Sequence, residues 1–498
     1  MTVLPTRLHW FLRPCHGLAA LTLAALTGLT GLTGLSALAQ PLPEAVSNAL
    51  LRAQVPPEAI SLMLVDADGQ SPPRLSHRAD ELANPASVMK LLTTTAALDL
   101  LGPAYTWRTP VWVDGKVQNG TLYGNLVVAG QGDPALSVEK LWLLLRRVQG
   151  LGIRRIHGDI VLDQNAFLPP TLQPGDFDGE PLRPYNATPE ALLINFKALT
   201  LTLVPDLPNQ VARVHTEPPL HGVHLPSQVP LVTNRQAPCN DYRTALQADF
   251  SDPTRILLKG RYPASCGEKS WPIAYPDPAS YAARALQGMW RALGGQLTGE
   301  VRSGSAPATA PTLQAVSPTL AEVLRDINKF SNNVMTQQLF LTLARDAAPT
   351  TPASFEAARG VLQQWWARRI GTQPAPVLDN GAGLSRQERI SAAGLARLLQ
   401  LAYASPFMPE LMASLPVVGM DGTLKRSRAP LASAHLKTGS LRDVLALAGY
   451  VHGSNGRQLV LVALINHPNA SATRPVMDAL VDWAVTEVTP SNAAGVGR

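Results

Sequence analysis

The sequence has little charge and very few cysteines, and both shortages exclude classes of protein. Only 16% of its 498 residues are charged, the net charge is +6, and there is no long run of lysine or arginine. Nucleic acid is therefore not expected as a partner, because its recognition uses concentrated basic patches. With 46% hydrophobic residues the composition fits a globular chain and excludes a disordered one. The length suggests roughly two to four domains.

The N-terminus has the pattern of an export signal. Arg7 and Arg13 give a basic start without acidic residues, and 17–35 is an uncharged stretch of apolar and small residues. Residues 37–39, Ala-Leu-Ala, then form a small-x-small cleavage site. We predict a cleaved signal peptide over 1–39 and a periplasmic location. An uncleaved membrane anchor is the alternative, and peripheral association with a membrane stays open.

Cysteine is the scarcest residue type, with three copies, and removal of the signal leaves only Cys239 and Cys266. Neither has a histidine or cysteine cluster nearby, so we expect no metal site there. An even pair in an exported protein predicts a disulfide. Its loop of about 27 residues would stabilise the fold by on the order of 3–4 kcal/mol. Two free thiols are the alternative.

A serine and a lysine lie three residues apart at the start of a predicted helix. Ser87-Val88-Met89-Lys90 follows Asn84-Pro85, a helix-start signal, and residues 86–100 are largely apolar, which predicts a buried helix. The serine and the lysine would share one face of that helix. A lysine desolvated in an apolar helix loses its proton more readily, so Lys90 can activate Ser87 as a nucleophile. For this motif alone, a chance match is the alternative.

A second hydroxyl group lies in Ser331-Asn332-Asn333, at a loop or helix start. We expect Ser331 to relay a proton between Lys90 and a leaving amine. The side-chain amide of Asn333 is expected to hold a substrate carbonyl. Taken alone, the tripeptide is better explained as the N-cap sequence of a structural helix.

The third motif, Lys437-Thr438-Gly439, lies within an apolar predicted strand. A lysine is rarely buried without a partner, and an anionic substrate carboxylate held by Lys437 and the Thr438 hydroxyl would be one. Gly439 would let the substrate backbone lie against the strand. The backbone N–H groups of Ser87 and Ser440 would form the oxyanion hole. An edge-strand lysine that deters aggregation is the alternative.

Taken in this order, the three motifs resemble the signature of β-lactamases and penicillin-binding proteins. About 240 residues separate Lys90 from Ser331, and simple class A β-lactamases have a far shorter gap. The region from about 108 to 309 is therefore an insertion, as in the class C low-molecular-mass penicillin-binding proteins, the D-Ala-D-Ala carboxypeptidase/endopeptidase family. The segments that carry this resemblance are 84–90, 124–126, 132–134, 158–163, 379–386, 421–424 and 435–440.

The resemblance implies an α/β fold with a penicillin-binding-protein/β-lactamase-like transpeptidase domain, in which helices flank an antiparallel sheet. Two β-rich accessory domains would be inserted into it, one nested in the other. The predicted divisions are a signal peptide (1–39), a split catalytic domain (40–107 plus 310–490), accessory domain II (108–199 plus 264–309) and nested accessory domain III (200–263). The pattern of residues 200–275, rich in strands and loops, agrees with this order.

The resemblance also implies a reaction. Ser87 would attack the D-Ala carbonyl of a peptidoglycan stem peptide, terminal D-Ala would leave, and water would hydrolyse the acyl-enzyme. An endopeptidase variant would cut the D-Ala to diaminopimelate cross-link. No metal or cofactor is expected, and the partners would be peptidoglycan peptides and, as covalent inhibitors, β-lactam antibiotics. The family's Asp-Gly-Ser-Gly-Leu-Ser reads Asp-Asn-Gly-Ala-Gly-Leu-Ser at 379–385, and we assign no catalytic role to that loop.

Two other functions remain as alternatives. A class A β-lactamase deacylates with a glutamate in a Glu-x-x-Leu-Asn loop after the second motif. Glu356, Glu388 and Glu410 are the glutamates between the second and third motifs, and none lies in such a sequence. The other alternative is a non-catalytic cell-wall-binding protein, whose binding would survive mutation of Ser87.

Overall fold

The structure is a computed structural model that describes residues 41–171, 173–234, 238–371 and 374–487. The predicted signal peptide lies outside these residues. The helices are α1 (Glu44–Arg52), α2 (Lys90–Leu101), α3 (Val138–Gly150), α4 (Tyr242–Leu246), α5 (Tyr281–Ala292), α6 (Leu320–Phe330), α7 (Asn333–Ala347), α8 (Phe355–Arg369), α9 (Ala392–Tyr403), α10 (Met408–Ser414) and α11 (Arg474–Thr486). Within the described ranges, no helix is long and apolar enough to cross a membrane.

Most of the strands are short. They are β1 (Ile60–Asp66), β2 (Leu75–His77), β3 (Leu82–Ala83), β4 (Arg108–Gln118), β5 (Thr121–Ala129), β6 (Arg155–Ile156), β7 (Ile160–Asp163), β8 (Ala198–Asp206), β9 (Val211–Glu217), β10 (Gln228–Val232), β11 (Ala248–Asp249), β12 (Leu257–Leu258), β13 (Tyr262–Pro263), β14 (Lys269–Ala274), β15 (Gln296–Leu297), β16 (Val301–Ser303), β17 (Leu313–Val316), β18 (Ile390–Ser391), β19 (Ala434–Leu441), β20 (Val444–His452) and β21 (Gln458–Asn466).

The two ends of the chain share one antiparallel sheet, with strand order β19-β20-β21-β1-β2. Ile60 on β1 lies opposite Ile465 on β21. Helices α2, α6, α7, α8 and α9 pack on one face, and α1 and α11 pack on the other. Because both faces are covered, β20 and β21 are buried along almost their whole length, which explains their nearly continuous apolar sequences.

Helix α2 lies at the centre of the larger core. Every residue from Lys90 to Leu98 is buried. A helix that is apolar on all sides is stable only when it is surrounded by other elements. Here α6, α7, α8 and α9 surround it. The helix therefore holds its first residue, Lys90, in a fixed position below the surface.

The inserted region forms two further sheets. A seven-stranded sheet joins β4 to β7 with β15 to β17, and α3 and α5 cover one of its faces. A five-stranded sheet has the order β13-β10-β9-β8-β14, so it extends from Ala198 to Ala274. A disulfide joins Cys239 to Cys266 beside this sheet, with an S–S distance of 2.11 Å. The predicted domain boundaries stay a prediction. In the structure β8 (Ala198–Asp206) begins just before the predicted segment 200–263, and its partner strand β14 (Lys269–Ala274) lies beyond the end of that segment.

Candidate active site

Ser87 lies on a sharp turn, whereas the sequence predicted it within the start of a regular α-helix. Ala86 has a left-handed φ of +46°, residues Ala86–Met89 form a single 3-10 turn, and the α-helix begins only at Lys90. The side-chain oxygen of Asn84 accepts a hydrogen bond from the Ala86 N–H at 2.8 Å. A positive φ is costly for alanine, so this contact fixes a turn that the chain would not otherwise adopt. The turn leaves Ser87 half-buried.

Lys90 is fully buried, with 0% of its surface exposed. Its Nζ donates to Ser87 Oγ at 3.1 Å, to Asn333 Oδ1 at 2.7 Å and to the carbonyl oxygen of Ala382. Burial lowers the pKa of Lys90 to about 7, because a desolvated ammonium group is disfavoured relative to the neutral amine. The structure therefore brings the predicted nucleophile and base together, with the amine able to lose its proton near neutral pH.

The second motif joins two helices. Ser331 ends α6 with a left-handed φ of +57°, and Asn332 caps α7 by accepting the Met335 N–H at 3.1 Å. Asn333, the first residue of α7, is buried and its amide is already engaged. Its Oδ1 accepts from Lys90, and its Nδ2 donates to the Tyr185 carbonyl at 3.1 Å. The observed contacts of Asn333 thus hold Lys90, and only its second amide hydrogen is left for the predicted substrate carbonyl.

Lys437 is the second fully buried lysine of the site. It lies on β19, the edge strand of the sheet, with 0% of its surface exposed. Its Nζ donates to Ser331 Oγ at 2.9 Å and to the Thr438 carbonyl at 2.7 Å. Burial lowers the pKa of Lys437 well below its usual value, and the nearby charge of Lys90 lowers it further. Ser331 is therefore bonded to Lys437, whereas the sequence had paired it with Lys90.

The remaining residues of the third motif lie along the same strand. Thr438 Oγ1 is 2.7 Å from Thr423 Oγ1, and Ser440 is exposed. Gly439 also has a role that its sequence did not indicate. A Cβ at this position would lie 2.5 Å from the Pro85 carbonyl oxygen and 3.1 Å from Ser87 N. Glycine is required there because the strand passes directly against the nucleophile turn.

The loop at 379–383 contributes to the site, which its sequence did not indicate. The Ala382 carbonyl on this loop contacts Lys90, although no catalytic role had been assigned to the segment. Gly383, with φ of +77°, lies so close to the nucleophile turn that a Cβ would be 1.9 Å from the Ala86 carbonyl oxygen. The two glycines that flank Ala382 were the available signal. Tyr185, from the inserted region, was also missed because nothing in its local sequence indicates a contact to Asn333.

The chain is similar to known D-alanyl-D-alanine carboxypeptidases. Residues 42–487 match the D-Ala-D-Ala carboxypeptidase 3 (S13) family. The D-alanyl-D-alanine carboxypeptidase DacB of Haemophilus influenzae is 29% identical over 394 residues, which cover 76% of this chain and 80% of that protein. The D-alanyl-D-alanine carboxypeptidase of Actinomadura sp. is 27% identical over 420 residues, which cover 80% of this chain and 76% of that protein.

The fold is similar as well. The crystal structure of penicillin-binding protein 4 (dacB) from Haemophilus influenzae superposes with a TM-score of 0.69 at 25% identity, covering 88% of this chain and 99% of that one. This similarity confirms the predicted fold class. The family match extends over nearly all of the described residues and includes all three motifs. The chain therefore belongs to the D-Ala-D-Ala carboxypeptidase 3 (S13) family.

Proposed function

We propose that this protein is a serine D-Ala-D-Ala carboxypeptidase that also acts as a DD-endopeptidase on peptidoglycan stem peptides, through an acyl-serine intermediate. One observation carries the proposal. Ser87 Oγ lies 3.1 Å from the amine of a fully buried Lys90, whose pKa is lowered to about 7. A hydroxyl group beside a base of that pKa is an activated nucleophile near neutral pH.

Acylation begins with the transfer of the Ser87 hydroxyl proton to neutral Lys90. Ser87 Oγ forms a bond to the carbonyl carbon of the penultimate D-Ala, and the carbonyl electron pair moves onto its oxygen. The N–H groups of Ser87 and Ser440 are the donors that we assign to this oxyanion. Ser87 is half-buried, so part of the residue is exposed and a peptide can approach it.

Collapse of the tetrahedral intermediate expels the amine of terminal D-Ala, which must gain a proton. We assign this transfer to Ser331. Its oxygen accepts from Lys437, so its own hydrogen is available to the leaving nitrogen. The proton that Lys90 took from Ser87 must then replace the one that Ser331 lost, which returns Lys90 to its neutral form. In deacylation, neutral Lys90 takes a proton from the attacking water, and Ser87 is released as the hydroxyl.

The substrate carboxylate is assigned to Lys437 and Thr438. Lys437 is buried and donates only to neutral oxygens in the described structure, so an incoming carboxylate would supply the charge partner that it lacks. Endopeptidase action follows from the same contact. In a D-Ala to diaminopimelate cross-link, a carboxylate is attached to the carbon next to the scissile nitrogen, as it is in terminal D-Ala.

β-Lactams should acylate Ser87, and the resulting acyl-enzyme should be hydrolysed slowly. Deacylation by a class A β-lactamase uses a glutamate with a free oxygen for water. Both carboxylate oxygens of Glu388 accept backbone N–H groups, and Glu388 is fully buried, so it does not fit that role. β-Lactam antibiotics are therefore proposed as covalent inhibitors. The periplasm is the proposed location, on the basis of the N-terminal export pattern.

The test is labelling of the purified mature protein with a fluorescent penicillin, beside Ser87→Ala. We expect a stable covalent adduct on the wild type only, and release of D-Ala from a stem pentapeptide by the wild type only. Rapid turnover of the penicillin would replace the proposal with a β-lactamase. If neither adduct nor turnover forms while peptidoglycan still binds to both proteins, the chain is a binding protein.

A further inference from the structure

Glu388 is fully buried, and every contact of its carboxylate is to the backbone of one loop. Its Oε1 accepts the N–H groups of Asp379 at 3.2 Å, Asn380 at 3.1 Å and Gly381 at 2.7 Å. Its Oε2 accepts the N–H of Gly383 at 2.8 Å. Four donors converging on one carboxylate favour the ionised form and fix the path of the loop.

This loop is the one that contacts the base. Ala382 lies between the bound N–H groups of Gly381 and Gly383, so the carboxylate determines the direction of the Ala382 carbonyl, which accepts from Lys90. The Thr93 hydroxyl of α2 holds the Gly381 carbonyl at 2.7 Å. Glu388 and Lys90 are thus joined through a single residue, without a direct hydrogen bond between them.

Lys90 has no charged partner at hydrogen-bond distance in the described part of the chain. Its three acceptors are a hydroxyl, an amide and a carbonyl oxygen. Glu388, on the loop side, is the charged group that acts on Lys90, and Lys90 in turn lowers the pKa of Lys437 on the strand side. Asp379, on the loop itself, is the other acidic group that faces Glu388.

We infer that Glu388 positions Lys90 and is the buried counter-charge that sets the pH at which Lys90 acts as a base. This inference rests on the proposed function, in which Lys90 deprotonates Ser87. Glu388 is a positioning residue because it acts through the Ala382 carbonyl and does not touch the reacting atoms.

The electrostatics agree in sign. Burial lowers the pKa of Lys90, and the negative charge of Glu388 opposes that effect. Burial raises the pKa of Glu388 to about 7, while the N–H donors act in the opposite direction. Because the two groups interact and titrate in one range, the pH profile of the wild type reports the pair. Removal of the negative charge would lower the pKa of Lys90 and make it a base at lower pH.

The experiment measures the rate constant of acylation by a fluorescent penicillin between pH 5 and 9. Glu388→Gln removes the charge, and Glu388→Asp keeps it while shortening the side chain. Glu356→Gln is the matched control, because it removes an exposed carboxylate in the first turn of α8. We expect the acidic midpoint of Glu388→Gln to fall by about one pH unit, and its plateau to decrease. Glu388→Asp should keep the midpoint and lose rate, and Glu356→Gln should match the wild type.

Equal midpoints in wild type and Glu388→Gln, with only slower acylation, would reduce Glu388 to a structural brace and overturn the inference. The proposed function fails separately, and only if the wild type itself is not acylated.

If Glu388→Gln folds poorly, a measurement of the unfolding temperature tests the inference instead. Lys90→Met should lower the unfolding temperature by leaving Glu388 without its counter-charge, and adding Glu388→Gln should recover part of the loss. If Lys90→Met and Glu388→Gln lower the unfolding temperature additively, the inference is contradicted.

Discussion

The site contains two lysines that are buried equally and bonded differently. Lys90 and Lys437 each expose 0% of their surface. Lys90 donates to three neutral oxygens from three separate segments, and Glu388 opposes the loss of its proton. Lys437 donates to two neutral oxygens, and among the described residues the charge that acts on it is the repulsive one of Lys90.

Burial alone therefore does not determine the function of a lysine. Both pKa values are lowered by desolvation. A lysine whose amine contacts a nucleophilic hydroxyl is suited to exchange a proton, whereas one that lacks a negative partner at the edge of a sheet is suited to bind an anion. The same physical cost of burial therefore supports catalysis at one position and recognition at the other.

Replacing each lysine by arginine should give the largest difference between the two positions. Arginine keeps the positive charge but cannot act as a base at accessible pH. Lys90→Arg should lower the acylation rate by about 10³-fold, whereas Lys437→Arg, which still offers a cation, should lower it by about tenfold. Penicillin acylation rates would be compared after circular dichroism shows that both variants fold. Equal losses would refute the division of roles.

Removal of the substrate carboxylate should act through Lys437 and not through Lys90. We expect the wild type to cleave a peptide ending in free D-Ala about 10- to 100-fold faster, in kcat/KM, than its C-terminal amide, because the amide leaves the lysine without an anionic partner. In Lys437→Met the preference should largely disappear. Thr423→Val, which removes only the neighbour of Thr438, is a mild control. A preference that survives in Lys437→Met would place the carboxylate elsewhere.

The two limbs of the pH profile should report different lysines, with the acidic limb set by Lys90 and the alkaline limb by Lys437. Because the pKa of Lys90 is lowered to about 7, the acylation rate should fall up to about tenfold per pH unit below it, as the base becomes protonated. At the alkaline end, kcat/KM for carboxylate substrates should decrease as Lys437, whose pKa is lowered by burial, loses its proton. The amide substrate should lack this alkaline decrease. An alkaline limb of the same size for both substrates would argue against Lys437 as its source.

Removal of the disulfide should affect neither lysine. Cys239 and Cys266 belong to the core of the second inserted sheet, which is separate from the cores around α2 and β19. The double change to serine should cost that region on the order of 3 kcal/mol and lower its unfolding temperature. The acylation rate at 25 °C should stay within about twofold of the wild type. A large loss of acylation would mean that the inserted sheet supports the site.

The sequence predicted much of this site because its motifs combine short-range and chemical signals. Ser87 and Lys90 are adjacent through helix periodicity, and the apolar sequence around Lys90 indicated burial. The left-handed turn at Ala86 escaped prediction because Asn84, Gly383 and Gly439 fix it from three parts of the chain. From the sequence, Glu388 was a candidate only for a deacylating base. Its positioning role could not be predicted, because its partners are backbone N–H groups, which every residue except proline carries.

The sequence by itself determined the order of the three motifs, whose resemblance to a known signature indicated the family. It also determined the apolar strands and helix that carry them, because periodicity and spacing are local properties. Only the tertiary structure decided which polar atoms meet. It paired Ser331 with Lys437, used Asn333 to hold Lys90, and placed Glu388 behind the Ala382 loop. These contacts join residues far apart in the chain, and each is fixed by the need of a buried polar group for a partner.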